Sequence, residues 1–152
     1  MSASDYLLGG NDEHGISPPT AGKRTPVMPY LGRSIYENEF NRPAKIYYFI
    51  AALRSGFNVY DIHPGKSDTS ISERVRRANR AGISLLTTFA YNAFGSGATF
   101  NTVAGMITFY SLSNIYATRS RLLSGLALFR FLIQRDLIFD GAVGKSVDAF
   151  AI

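Results

Sequence analysis

Residues 70–89, SISERVRRANRAGISLLTTF, contain the signals for a helix start, a helix end and a following strand. Ser70 and Glu73 have the spacing of a capping box, in which the hydroxyl and the carboxylate close the first turn of a helix. The helix is predicted to end near Gly82, because glycine is the usual residue just past a helix. Residues 83–89 are mostly apolar and include β-branched side chains, which is typical of a buried parallel strand.

The segments before this stretch alternate between strand and helix patterns. Residues 6–8 predict a short strand that runs into a loop at Gly9-Gly10. A long proline-rich loop is predicted for residues 11–33, and long loops in compact domains are usually functional. A helix is then predicted from Asn41 to Gly56, and residues 57–62 alternate like a strand. The predicted apolar face of that helix consists of Ile46, Phe49, Ile50 and Leu53.

The segments after this stretch continue the alternation. Residues 103–110 predict another strand, and residues 118–134 predict an amphipathic helix. Strands that alternate with helices indicate an α/β fold, with a mixed, mostly parallel sheet flanked by helices.

Composition limits the possible classes of protein. The chain has 152 residues, of which 46% are hydrophobic, so we expect a single globular domain over residues 1–152. It has no cysteine, so a metal would have to be held by histidine and carboxylate. The net charge of +5 favours a polyanionic partner but does not choose among nucleic acid, membrane surface and cell wall.

The N-terminal residues lack the basic segment and the apolar run of a secretory signal, so we expect synthesis in the cytoplasm without export by that route. No apolar stretch reaches the length of about 20 residues that is needed to span a bilayer. We therefore predict no membrane span.

Three motifs together resemble the zinc-dependent N-acetylmuramoyl-L-alanine amidases, which cleave peptidoglycan. They are His14-Gly15 followed by residues 22–26 (GKRTP), residues 36–42 (YENEFNR), and residues 72–79 (SERVRRAN) leading to residues 88–93 (TFAYNA). The match covers roughly residues 6–125, so the chain is either cut short or divergent beyond that point. The resemblance implies a three-layer αβα fold, peptidoglycan as partner and action at the cell wall, as in a phage endolysin.

The resemblance also implies a set of site residues. His14 and Glu37 correspond to two of the family's zinc ligands, and Asn41 and Asn92 to substrate-binding positions. Such ligands leave zinc an open position for water, and a separate carboxylate takes the proton of that water. Alternative interpretations are an exposed loop histidine for His14 and a helix N-terminal carboxylate for Glu37.

The departures from the family pattern concern catalysis. Ala90 occupies the position of the family's second zinc-binding histidine, and no glutamate follows Glu73 to serve as the catalytic carboxylate. His63 is interpreted as a surface-turn residue, and Asp12 with Glu13 as a less favoured replacement set of ligands. Only aspartates lie where the catalytic glutamate is expected, namely Asp136, Asp140 and Asp148.

Two functions from different classes follow. The first is a peptidoglycan amidase that hydrolyses the muramoyl-L-alanine amide, with zinc binding weak or lost and no catalytic residue assigned. The second is a non-catalytic, wall-recognising or structural component of a phage-like particle.

The surface of the chain suggests its partners. Apolar residues 137–139 have no evident following strand, so we expect an open sheet edge and self-association or docking into a larger assembly. Four arginines of the predicted helix at residues 70–79 are interpreted as solvated, and nucleic acid is not expected as a partner. They are Arg74, Arg76, Arg77 and Arg80.

Overall fold

The structure is a computed structural model that describes residues 1–16, 22–91, 95, 97–102, 107–113, 115–135 and 145–147, with side chains up to residue 128. Contacts within the chain divide it into two compact units, Met1–Asn101 and Thr102–Ile152. Asn92, Asp136, Asp140 and Asp148 lie outside the described residues. The prediction of a single domain over residues 1–152 stays a prediction.

The first unit is built on a three-stranded parallel sheet. Strand β1 (Leu7–Asn11) lies in the centre, between β2 (Asn58–Asp61) and β3 (Leu85–Thr88). Leu8 is in register with Val59 on one side and with Leu85 on the other. The predicted parallel strands are therefore confirmed, although the side chains of β3 are half-buried rather than buried.

Two helices connect these strands. Helix α1 (Glu37–Arg54) joins β1 to β2, and helix α2 (Ile71–Ala81) joins β2 to β3. The two crossovers run in opposite directions across the sheet, and right-handed crossovers then place the helices on opposite faces. The α/β fold class, with a parallel sheet flanked by helices, is confirmed.

Gly9 and Gly10 lie inside β1, so the prediction that they begin a loop is wrong. A Cβ built on Gly10 would lie 2.6 Å from the Phe49 ring, and one built on Gly9 would lie 2.6 Å from Ile83. Both glycines therefore allow neighbouring elements to pack closely on the central strand.

The buried face of α1 is largely polar. The helix begins at Glu37 instead of Asn41, and its buried residues are Glu37, Asn38, Asn41, Lys45 and Ala52. The predicted apolar face is correct only for Phe49, which is half-buried against Gly10. The prediction is wrong for Ile46, Ile50 and Leu53, which are 48%, 40% and 55% exposed.

Both predicted ends of α2 are confirmed. The Ser70 hydroxyl accepts a hydrogen bond from the Glu73 amide, and Gly82 ends the helix in the left-handed conformation with φ 66°. The second half of the predicted capping box is missing, because the Glu73 carboxylate binds Arg76 and Arg77 instead.

The second unit contains β4 (Phe109–Ser111), α3 (Ala117–Arg135) and β5 (Lys145–Val147). The predicted helix at residues 118–134 is confirmed by α3. Of the predicted strand at residues 103–110, residues 103–106 lie outside the described residues, residues 107–108 are not in a strand, and the strand begins at Phe109. Strand β5 pairs in parallel with β4. The expectation that no strand follows residue 139 is therefore wrong.

None of the helices in the described part of the chain is both long enough and apolar enough to cross a bilayer.

Candidate functional site

The candidate site lies at the carboxyl ends of β1 and β3. The chain leaves β1 towards β2 on one side, while β3 lies on the other, and ligands of open α/β sheets bind at such a switch point. The ends of the two strands are joined by a hydrogen bond from the Phe89 amide to the Asn11 carbonyl, at 2.9 Å. The residues that directly follow β1 and β3 therefore lie at one edge of the sheet, where a ligand crevice is expected.

The structure brings His14 and Glu37 together at this edge. A Cβ built on Gly22 would lie 2.7 Å from Oε2 of Glu37 and 3.0 Å from Cβ of His14. Gly22 also has φ 71°, a conformation that side chains other than glycine rarely adopt. The two side chains thus lie close together, both against the position that a Gly22 side chain would occupy.

Glu37 is a buried carboxylate with both oxygens engaged. It is 4% exposed. Oε2 accepts a hydrogen bond from the Lys23 backbone amide at 2.8 Å, and Oε1 accepts one from the Asn41 side-chain amide at 3.3 Å. The Glu37 amide in turn donates to the Lys23 carbonyl at 2.8 Å. These contacts hold the carboxylate in one orientation at the start of α1.

His14 is positioned through its backbone. Asn38 donates from Nδ2 to the His14 carbonyl at 2.7 Å. The Nδ1 atom is buried and has no hydrogen-bond partner among the described residues, while Nε2 lies 3.9 Å from the Glu13 carboxylate. A buried ring nitrogen without a partner is a suitable donor for a ligand or a cation.

Glu13 adds a second carboxylate to the site. Burial and the negative charge of Glu37 raise its pKa, against the opposing charges of His14 and Arg74. Its backbone has φ 58°, which is uncommon for a residue other than glycine and marks local strain. Glu13 and Glu37 thus place two carboxylates near this edge, which favours the binding of a cation there.

Asn41, interpreted as a substrate-binding residue, is 3% exposed. Its side-chain amide donates to the Asp12 carbonyl at 3.4 Å and to Glu37 at 3.3 Å. In the described contacts it therefore orients Glu37. Its assignment to substrate binding stays a prediction, as does that of Asn92.

Ala90 lies just beyond the end of β3 and is exposed. The next residue, Tyr91, stacks on Phe40 of α1, with ring centroids 4.7 Å apart and an interplanar angle of 15°. The loop after β3 is thus fixed to α1 close to Glu37, but its methyl side chain at position 90 offers no ligand atom.

A buried ionic network lies behind the site, and the interpretation of His63 as a surface residue is wrong. Asp12 and His63 are both 0% exposed, and Lys45 is 1% exposed. Oδ2 of Asp12 accepts a hydrogen bond from Nε of Arg42 at 2.9 Å, and it lies 3.1 Å from Nζ of Lys45. Lys45 also contacts Asp61 at 2.7 Å.

This network also changes the interpretation of Asp12. Its carboxylate is fully used by Arg42, Lys45 and His63, so in the described geometry it does not join His14. Asp12 follows directly after the observed strand β1, and His63 comes two residues after β2. The carboxyl ends of parallel strands meet at one edge of the sheet.

The donor set fits zinc only in part. His14 and Glu37 supply an imidazole and a carboxylate, whereas catalytic zinc has three protein ligands. Over the described part of the chain, no group of three histidine, aspartate or glutamate side chains has the geometry to hold a metal ion.

Comparisons with known proteins add no family assignment. No family model, no curated protein and no solved structure matches this chain.

Proposed function

We propose that this chain is an amidase-like domain that acts on peptidoglycan, with the crevice at the ends of β1 and β3 as its site. The observation that supports the proposal best is the close approach of His14 and Glu37 to one another beside Gly22. These residues come from separate motifs of the amidase resemblance, and the fold brings them to the edge of the sheet where α/β proteins bind ligands.

The site residues have distinct roles under this proposal. The Nδ1 atom of His14, unpartnered within the described part of the chain, is available to the ligand, while Asn41 and Asn38 fix the Glu37 carboxylate and the His14 backbone. Zinc bound here would supply an activated water, but two ligands do not complete the three-ligand set of catalytic zinc. The proposal therefore includes no hydrolytic step at a metal ion.

A second function, recognition of the wall without cleavage, is favoured by Ala90. The exposed methyl group at the end of β3 occupies the position where the family has its second histidine ligand. A domain of this kind would keep the crevice and the orientation of Glu37, and would bind peptidoglycan as part of a phage-like particle.

Binding and cleavage of purified peptidoglycan separate the two functions. We expect the chain to sediment with insoluble peptidoglycan, and His14→Ala to weaken this binding at least about fivefold, which corresponds to about 1 kcal/mol. Tyr47→Ala is the matched control, because Tyr47 is an exposed α1 residue that contacts none of the site residues named above.

Release of soluble peptide stems at a rate that depends on added zinc would support the amidase. Binding without release would support recognition alone. A chain that neither binds nor cleaves peptidoglycan would contradict both functions.

A further inference from the structure

A groove with three arginines lies between α2 and the edge strand β2. We call it the arginine groove, and its lining residues are Tyr60, Glu73, Arg76, Arg77, Arg80 and Ala81. Tyr60 is on β2 and is 38% exposed, while the other residues are on α2. The groove shares no residue with the candidate site at the ends of β1 and β3.

Arg74 does not belong to the groove, so the interpretation of four solvated arginines needs a correction. Arg74 is 8% exposed, donates to the Thr69 carbonyl at 2.7 Å and pairs with Asp68 at 3.1 Å. The three remaining arginines share one concave surface.

Much of the hydrogen-bonding capacity in the arginine groove is unused. Arg76 binds Glu73 through Nε and Nη2, and Arg77 uses Nε for Glu73 and Nη1 for the Ile62 carbonyl. Within the described residues no hydrogen bond uses Nη1 of Arg76, Nη2 of Arg77 or the guanidinium of Arg80. Each guanidinium has five N–H donors, so all three arginines retain donors for a ligand.

The groove also keeps an excess of positive charge. Hydrogen bonds from Arg76 and Arg77 lower the pKa of Glu73 to about 2, so this carboxylate is ionised at neutral pH. It balances only one of the three guanidinium charges. An incoming anion therefore meets a net attraction and fixed N–H groups.

We propose that the arginine groove binds a phosphate group. The geometry favours phosphate because Glu73 already binds the inner donors of Arg76 and Arg77, leaving outer donors on three separate side chains. A tetrahedral oxyanion has enough oxygens to reach several guanidinium groups together, and arginine forks match phosphate oxygens in pairs. Tyr60 also lines the groove.

Binding of inorganic phosphate tests the proposal directly. Amide chemical shifts of the full chain would be followed by NMR during titration with phosphate at low and constant ionic strength. We expect saturable shifts concentrated in α2 and β2. Arg80→Gln should weaken phosphate binding about five- to tenfold, since a hydrogen bond between charged groups is lost.

Two variants make the test specific. Arg54→Gln removes one positive charge from an exposed position on α1 and should leave the phosphate affinity within about twofold of wild type. Glu73→Gln removes the competing carboxylate, so it should tighten phosphate binding by about threefold or more. Saturable shifts that respond in this pattern would support the site.

Two results would overturn the proposal: shifts that never saturate, or equal effects of Arg80→Gln and Arg54→Gln. A parallel titration with glycerophosphoglycerol, a soluble phosphodiester, distinguishes the source of the phosphate. Tighter binding of the diester indicates a phosphodiester polymer, and tighter binding of inorganic phosphate indicates a free phosphate.

Discussion

Nδ1 of His63 lies 2.6 Å from Oδ1 of Asp12, and neither side chain is exposed to solvent. The other ring nitrogen, Nε2, is 2.8 Å from the Ser67 carbonyl, which can only accept a hydrogen bond. Both ring nitrogens thus face acceptors, and the pair is satisfied best when the imidazole donates from both sides. Asp12 is therefore the centre of a buried cluster of charges.

Acid should destabilise the chain through Asp12. Burial alone would raise the pKa of Asp12, but the hydrogen bond from His63 and the charges of Lys45 and Arg42 lower it from 3.8 to about 2. A lowered folded-state pKa stabilises the fold above pH 3.8, and this stabilisation is lost as the pH falls through about 2. We expect a loss of about 2 kcal/mol in the free energy of unfolding, measured by urea unfolding between pH 5 and pH 2.

Glu73→Gln is the control for this measurement, since Glu73 also has a pKa of about 2 but its side chain is 30% exposed on the helix surface, whereas Asp12 is fully buried. The acid loss should persist in that variant because exposed pairs contribute little. Disappearance of the loss in Glu73→Gln would assign it to the helix surface instead of Asp12.

Substitutions of the two partners Asp12 and Lys45 should not have additive effects on stability. Lys45→Met leaves Asp12 buried without its nearest ammonium group, and we expect a loss of about 3–5 kcal/mol. The double variant Asp12→Asn/Lys45→Met should be less destabilised than the sum of the two single variants. Strictly additive losses in thermal or urea unfolding would show that the two side chains do not interact.

A methyl group on the central strand should destabilise the sheet. In Gly10→Ala the added Cβ would lie 2.6 Å from Phe49 and 2.9 Å from Lys45, so we expect a loss of about 1–3 kcal/mol. Gly65→Ala is the control, because its Cβ would meet only the Ser67 nitrogen at 3.9 Å. The melting temperature of Gly65→Ala should stay close to that of wild type, and equal losses in both variants would contradict this account.

A third ligand placed at position 90 should increase zinc affinity. Ala90→His adds an imidazole at the end of β3, beside the loop that Tyr91 fixes against α1. We expect zinc affinity to rise at least about tenfold in competition with a chromogenic chelator, without full hydrolytic activity, since a general acid or base contributes typically 10²- to 10⁴-fold. Ser84→His, exposed at the opposite end of β3, is the control.

An unchanged zinc affinity in Ala90→His would show that position 90 does not approach His14 and Glu37. Hydrolysis at rates typical of active amidases would show that a carboxylate already present can act as the base.

The sequence predicts most of the described elements because their signals are local. The cap at Ser70, the end at Gly82 and the apolar run of β3 each depend on neighbouring residues, and all three are observed. The loop predicted at Gly9-Gly10 is wrong because glycine is a local turn signal. Here glycine is needed because the side chains of Phe49 and Ile83, which are distant in the chain, approach the strand closely.

The buried face of α1 and the site could be predicted only in part. Lys45 is buried because Asp12 and Asp61 receive its ammonium group, and no periodicity within α1 contains that information. Motif resemblance predicts His14 and Glu37 as site residues, whereas their close approach beside Gly22 is evident only from the fold.

The strand pairings have a consequence for how the chain is made. Leu7 pairs with Asn58, Leu8 with Leu85, and Phe109 with Lys145, so each described pairing joins segments that are far apart in the chain. A strand that waits for a distant partner remains unpaired during synthesis, and folds dominated by such contacts form slowly. Strand β1 is synthesised before both of its neighbours, and β3, its second neighbour, begins only at residue 85. The chain is therefore most prone to aggregate between the synthesis of β1 and that of β3.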